Sequence, residues 1–443
     1  MSAASATRPK IPVGVIGFGN SSRTFHLPLV LSLPDIFTLY AIQQRPESKG
    51  EDASRLFPTA RKVPDVDTLI GDGPDALPKK SLVIITVVNE LHVPLAKKAL
   101  EAGYHVVIEK PMALTVEDAQ MLAELSAKLG LVCSAYQNRR FDGDFLTIKS
   151  LMAPPKGHES QPPALGIPTY FESRFDRFRP LVKGGWREEV STEQGGGMLW
   201  DLGSHLVDQA LSLFGPPASV TAFVQNQRGQ LPSQLDDDFT IRLSYPASAP
   251  LPPDSLAPGT KLSGLQVVLG ASCLSAHLAA EQPRFRVEAL NGSYEKRGVD
   301  PQEDQLKKGW SPRSHPDSFG TYQTDVDPAS VHYGRLTTLP ASVTNATSGS
   351  APPAPTDKGP GSGYVPPLVA SDIPTLPGRY IDYYINIGQT IAAADQARVT
   401  SVEAATQAIE ANLIVKPAQV VDAIKVLDLA RRSAAERRTL DFE

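Results

Sequence analysis

The stretch IPVGVIGFGNSS, Ile11 to Ser22, decides how this chain is read. The apolar run Ile11 to Ile16 reads as a buried strand, and Gly17 and Gly19 stand directly at its end. Gly17 lets the chain turn tightly, and Gly19 lets a dinucleotide pyrophosphate approach the backbone beside a helix start. Ser22 takes the place of the third glycine of G-x-G-x-x-G; a residue this small still permits close helix packing. Phe18, Asn20 and Ser21 complete the candidate phosphate loop. Pro28 falls inside the apolar run that follows, which predicts a break near RTFH with Pro28 in the first turn of the continuing helix.

Outward from this loop the chain alternates short and long apolar patterns. FTLYAIQQ, SLVIITVV, YHVVIEK and LVCSAYQ read as further buried strands. Between them LHVPLAKKALEAG and TVEDAQMLAELSAKLG show the recurrence of an amphipathic helix, and each ends at a glycine. Thr115 with Asp118 is a helix start related to the capping box. Strand and helix in alternation predict a doubly wound parallel sheet, a Rossmann domain over about residues 1–150. At the end of the second strand an NAD site expects an acid for the ribose hydroxyl, but this chain has Gln43, Gln44 and Arg45. An arginine suits a 2′-phosphate, so NADP is favoured, with NAD the alternative.

Beyond about residue 150 the rhythm changes. A helix around Met198 to Leu213 is followed by DDDFTIRLSY, GLQVVLGASCL and RFRVEAL with no helix between them. This predicts an α+β domain, residues 151–443, on an open antiparallel sheet. PASAPLPPDSLAPGTKLSG and residues 339–376 read as inserts, because their Pro, Ser, Thr and Gly content cannot bury a core. The last part of the chain returns to helical periodicity and could close over either domain.

Composition narrows the function. With 443 residues, 41% hydrophobic and 21% charged, the chain has the makings of a globular protein. A net charge of -5 and no basic run give no footprint for nucleic acid or anionic lipid, so a small-molecule partner is expected. No apolar leader or membrane span is recognisable, and a cytoplasmic protein is expected. Cys133 and Cys273 sit in apolar runs and read as buried reduced thiols, and no histidine shows metal-ligand spacing, so no metal site is expected.

GGGMLWDLGSHLVDQ, Gly195 to Gln209, carries the chemistry. On an α-helix Asp201 and His205 would stack on one face, the acid orienting the imidazole. Tyr136, Asn138 and Arg139 follow the fifth strand, where ligands of open α/β sheets bind. They are candidate substrate contacts. Trp186 and Arg187, in a glycine-rich loop, are candidates to cover the cofactor.

With VVIEKPMALTVEDAQ, NRRFDGDF and GGGMLWDLGSHLVDQALSLFG in view, the chain resembles the glucose-fructose oxidoreductase, inositol dehydrogenase and MocA (Gfo/Idh/MocA) family. GFGNSSRTFHLPL, WRE, DDDFTIRLSY and GSYEKRGVDPQEDQL look like its branch of NADP-dependent scyllo-inositol dehydrogenases and related sugar reductases. The resemblance implies that Glu109 and Lys110 of the EKP motif lie beside nicotinamide and substrate. It also implies that Asp201 and His205 complete the catalytic group with Lys110. After the third strand TVVN departs from the family's Ala-Thr-Pro-Asn but keeps Asn89 and the later His92 as cofactor contacts. Hydride transfer at a carbinol needs a proton acceptor and a donor on the reacting oxygen, roles for which His205 and Lys110 are suited. The expected activity is an NADP(H)-dependent dehydrogenase or reductase of a polyol, cyclitol or sugar; the alternative is a sensor of dinucleotide or sugar without turnover. An open sheet face to be covered predicts a homodimer or higher homo-oligomer.

Overall fold

The structure, a computed structural model, describes residues 9–154, 163–232, 234–247, 262, 264–339 and 368–443. The first sheet is formed by β1 (Ile11–Ile16), β2 (Phe37–Gln43), β3 (Arg61–Val63), β4 (Leu82–Ile85), β5 (His105–Ile108) and β6 (Cys133–Ala135), in the order β3-β2-β1-β4-β5-β6. Every pairing is parallel. Val13, Val15, Ile84 and Val107 are fully buried, as strands covered on both faces must be. The strand order reverses between β1 and β4, and at that switch point open α/β sheets take their ligands. The expected helices are α1 (His92–Glu101) and α2 (Val116–Leu129); Thr115 caps α2 by accepting from Asp118 N at 3.1 Å, and Gly130 ends it at φ 60°. Pro28 sits in the first turn of a short helix that follows a π-wound segment, Ser22–His26, which removes the expected conflict.

The second sheet has nine strands in the order β14-β13-β12-β11-β7-β10-β9-β8-β15. They are β7 (Pro168–Arg174), β8 (Ser219–Gln225), β9 (Asp238–Ser244), β10 (Gln266–Ser272), β11 (Pro283–Ala289), β12 (Gly292–Arg297), β13 (Tyr333–Thr338), β14 (Val369–Pro374) and β15 (Leu440–Asp441). The sheet is open and mostly antiparallel, with one departure: β7 and β10 run parallel. Its inner face packs on α3 (Gly143–Met152) and α4 (Ser204–Phe214), with Phe171 5.3 Å from Phe214 and Phe145 6.4 Å from Phe285 between ring centroids. The outer face carries ion pairs, Arg174 with Asp176 at 2.6 Å, Arg335 with Asp372 at 2.8 Å and Arg286 with Glu288, beside the exposed rings of Phe223 and Tyr333.

The inserts behave differently. Of the first, residues 248–261 and 263 lie outside the described residues, as do 340–367 of the second. Val369–Pro374, expected to loop out, instead pairs antiparallel with β13 from Tyr333 to Thr338. An edge strand tolerates the terminal Pro374, and Val369 and Ile373, four residues apart, fall on one face.

The C-terminal helices α5 (Ile381–Arg398), α6 (Val402–Asn412) and α7 (Pro417–Glu436) touch both sheets. Tyr383 donates to Ala135 O at 2.9 Å, Arg398 to Leu129 O at 2.8 Å and Thr406 to Ala127 O at 2.7 Å, all in the first half. On the other side Ser433 of α7 accepts from Ala222 N of β8 at 3.0 Å. Among the described residues no helix is long and apolar enough to cross a membrane.

Candidate active site

The glycine loop is held from beneath and open above. Gly17 has φ 90°, and a Cβ there would lie 2.8 Å from Thr86 O, so only glycine fits. Thr86 completes the turn by donating to Gly17 O at 2.9 Å. Around Gly19 a Cβ would meet nothing within 4 Å, which leaves the backbone approachable at the point where the chain turns helical from Asn20. Ser22 is fully buried and donates to Gly19 O at 3.0 Å, doing by packing what the missing glycine does elsewhere. Phe18 is buried edge-on to Phe57, and Asn20 is exposed. This cradle fits a dinucleotide pyrophosphate.

Gln43, the last residue of β2, and Gln44 both hydrogen-bond within the protein. Gln43 accepts from Gly17 N at 3.3 Å and donates to Pro64 O at 3.0 Å, so it props the glycine turn. Gln44, expected to touch cofactor, is buried; it donates to Glu51 O at 2.7 Å and accepts from Ala53 N at 3.0 Å, pinning the loop that carries Arg45. The Arg45 side chain is 76% exposed, with Glu47 3.4 Å away.

Lys110 and Asp201 come together across the two halves of the chain. Lys110 Nζ donates to Asp201 Oδ1 at 2.8 Å and to Asp201 O at 2.7 Å, and Arg187 Nε donates to Asp201 Oδ2 at 2.6 Å. Burial alone would raise the Asp201 carboxyl, but Lys110 and then Arg187 outweigh it and hold it well below the usual carboxylate range. The expected pairing of Asp201 with His205 does not form. Leu199–Gly203 is π-wound, which shifts the angular relation of positions four apart, and both Asp201 oxygens are taken by cations. His205 is buried with Nδ1 unpaired among the described residues. Burial first, then Lys110 and Arg139, push its pKa well below the ordinary imidazole value, so the ring is neutral.

The other expected contacts have the following partners within the protein. Glu109 accepts from Ser21 Oγ, from Lys110 N at 2.9 Å and faces His26 Nε2 at 3.0 Å. Burial raises its carboxyl, but the His26 and Ser21 bonds prevail and hold it at about 2. His92 is buried behind the loop with its ring nitrogens on Pro111 O at 2.7 Å and Val87 O at 3.1 Å, a strut for the EKP turn. Asn89 donates to Gln194 O at 3.2 Å and so joins the loop after β4 to the one before the π-wound segment. Tyr136 donates to Phe25 O at 2.8 Å and stacks beside His26. Arg139 is committed to Glu303 and lies over the Phe175 ring. Asn138 makes no side-chain hydrogen bond to a described residue. The side chain of Trp186 lies outside the described residues.

The sequence reading passed over two features. One is the buried chain from Ser21 through Glu109 and His26 to Tyr384, with His26 Nδ1 2.6 Å from the phenol; nothing in RTFH marks it. The other is Arg177, which lines the groove around Asp201 with Arg187. Its signal was visible in RFDRFRP, where arginines two apart flank an aromatic residue in an extended run.

This arrangement has known relatives. Residues 11–137 match the oxidoreductase family with NAD-binding Rossmann fold, GFO_IDH_MocA, and residues 162–295 match the GFO/IDH/MocA C-terminal domain. An uncharacterized oxidoreductase, C115.03, of Schizosaccharomyces pombe is 36% identical over 85% of this chain and 88% of its own. The scyllo-inositol 2-dehydrogenase (NADP(+)) IolW of Bacillus subtilis is 32% identical over 98% of this chain and 96% of its own. Among solved structures, an oxidoreductase from Bacillus cereus superposes with a TM-score of 0.69 at 27% identity, covering 98% of this chain and 99% of that one. A glycine cradle on a parallel sheet, a lysine paired to an acid from the second half, and two matched family regions lead to one conclusion: the chain belongs to the Gfo/Idh/MocA family of NAD-binding oxidoreductases.

Proposed function

We propose that this oxidoreductase moves a hydride between NADP(H) and a hydroxyl or carbonyl carbon of a polyol, cyclitol or sugar. The observation that carries the reading is the Lys110–Asp201 pair, at the carboxyl end of the same parallel sheet that presents the open Gly19 backbone. A bound nicotinamide supplies or accepts the hydride. Lys110 Nζ, fixed by Asp201, holds the reacting oxygen and stabilises its developing charge. His205, neutral and with a free ring nitrogen, takes the hydroxyl proton. Arg187 holds Asp201 from its other oxygen. The NADP preference rests on Arg45, which is exposed on a loop anchored by Gln44 and takes the place of the acid an NAD site has at the end of β2; Glu47, 3.4 Å from Arg45, would have to give way to a phosphate. The name of the IolW relative, an NADP-dependent inositol dehydrogenase, agrees with both parts.

We assign residues 1–150 to dinucleotide binding and 151–443 to substrate and assembly, and place the protein in the cytoplasm as a homo-oligomer. The first test is a fluorescence titration of cofactor-stripped protein with NADPH and NADH, followed by turnover assays on inositols and sugars. NADPH is expected to bind at least about tenfold tighter than NADH, and Arg45→Ala to erase most of that difference. Equal binding would return the site to NAD, and binding of neither would overturn the oxidoreductase assignment of the loop.

A further inference from the structure

The groove beside Asp201 holds a cation that its carboxylates do not answer. Past the end of β7 the chain stays extended along β10: Phe175 N donates to Gly270 O at 2.9 Å, Arg177 N to Ser272 O at 2.9 Å and Arg179 N to Cys273 O at 2.8 Å. Alternation along an extended chain puts Arg177 and Arg179 on the side of buried Phe175, while Phe178, 57% exposed, faces away. The neighbouring arginines are matched. Arg179 reaches Glu188 at 2.9 Å, and Arg228 reaches Glu188 at 2.9 Å and Asp237 at 2.7 Å. Arg187 is on Asp201.

Arg177 is different. It lines the same groove as Asp201, yet its guanidinium has neither a hydrogen bond nor a carboxylate within salt-bridge distance among the described residues. Asp236, the remaining carboxyl of the groove, already accepts from Leu199 N at 2.6 Å and is pushed up to about 7 by burial, so it is a poor counter-ion. Burial likewise lowers the Arg177 pKa, the signature of a half-buried cation short of a partner. Charged groups held out of water in this way are normally paired.

We propose that the substrate carries an oxyanion, a carboxylate or a phosphate, that seats on Arg177 next to the carbon oxidised or reduced at Lys110, so that an acidic polyol is preferred to a neutral one. This rests on the dehydrogenase reading above and narrows its substrate class. A guanidinium offers paired donors that match either anion, and its place beside the reacting group fixes which hydroxyl reaches Lys110.

The test uses the full chain saturated with NADP and measures kcat and KM for D-gluconate, D-glucose 6-phosphate and scyllo-inositol. The variants are R177Q, R177K and, as a charge control on the outer face of β9, R242Q. The expected result is a KM for one of the anionic polyols at least tenfold below that for scyllo-inositol. R177Q should raise that KM ten- to a hundredfold with kcat within about threefold, R177K should restore part of it, and R242Q should leave it alone. Whichever of the two anions shows this separates carboxylate from phosphate. Equal use of neutral and acidic polyols, with the ratio unmoved in R177Q, overturns the anion seat and leaves the dehydrogenase standing. If none of the three is turned over, calorimetric titration of the NADPH-loaded protein with each anion decides: binding lost in R177Q upholds the seat, and absent or unchanged binding overturns it. A weaker NADPH affinity in R177Q with unchanged anion binding assigns Arg177 to the cofactor and also overturns it.

Discussion

At the glycine loop, neutral groups close the turn: the Thr86 hydroxyl, 69 residues on, donates to Gly17 O, and the Ser22 hydroxyl donates to Gly19 O three residues back. Around Asp201 the partners are cations, Lys110 from just past β5, 91 residues back, and Arg187 from a short helical turn 14 residues back, and each bond joins opposite charges. The first region is shaped by what the backbone can adopt and what a Cβ would strike. The second is shaped by charge balance in a half-buried groove. The backbone freedom that the turn needs is written in the glycine itself, whereas charge balance becomes visible only when the fold brings the groups together.

Substitutions can break this comparison, and the largest effect should come from the charged region. Lys110→Met removes the donor on the reacting oxygen, and kcat should fall about 10³-fold while NADPH affinity, carried by the loop, changes little. Stopped-flow turnover alongside a binding titration would show it, and a parallel loss of cofactor affinity would mean that the two regions are not separable.

In the loop itself, two glycines of one motif should behave oppositely. Gly17→Ala forces a positive φ and a contact with Thr86 O, and should destabilise the fold by about 1–3 kcal/mol in urea unfolding. Gly19→Ala has open space and should leave unfolding unchanged, yet weaken NADPH binding about tenfold because a methyl group enters the pyrophosphate's approach. Equal unfolding curves for the two would remove the steric account of the loop.

A smaller effect concerns His205. Its folded pKa lies well below the unfolded value, so the unfolded chain takes up a proton first as pH falls. Stability is therefore whole above about pH 6.5 and is lost below it, by at most about 1.4 kcal/mol per pH unit from this group. Buried His92 and His105 lean the same way, so the difference between wild type and His205→Asn across pH 7 to 5 isolates the contribution. The acid limb of kcat/KM should likewise lie below pH 6.5. A limb above it would contradict the neutral imidazole. Smallest of all, Arg45→Ala should move stability by under about 0.5 kcal/mol, as expected of an exposed side chain, while changing nucleotide preference.

The same contrast explains how much could be read in advance. The parallel sheet, the helix caps at Thr115 and Gly130, the role of Pro28 and the small residue at Ser22 are local matters of propensity and sterics, and all were legible. Lys110 and Asp201 were legible as residues through the EKP and DLGSH motifs, but not as each other's partner. The π-wound segment hid this, because apolar spacing in GGGMLWDLGSHLVDQ reads as an ordinary helix. Gln44 stands where a cofactor contact is expected, after the second strand; that its amide also bonds Glu51 O and Ala53 N depends on how the next loop folds back. The parallel pairing of β7 with β10 was hidden for a similar reason, since strand partners are chosen by the whole sheet.

The helices α5, α6 and α7, which bind β6 with Tyr383, the end of α2 with Arg398 and Thr406, and the second sheet with Ser433, carry a consequence for synthesis. A ribosome finishes β6 roughly 300 residues before it finishes α7, a delay of about 15 to 60 s at about 5–20 residues per second. Through that interval the nascent first half has Ala127 and Leu129 of α2 and Ala135 of β6 waiting for partners not yet made. The protein is thus closed by its last-made part, and premature termination anywhere in the final helices would leave a nucleotide cradle already built on a half that is missing its cover.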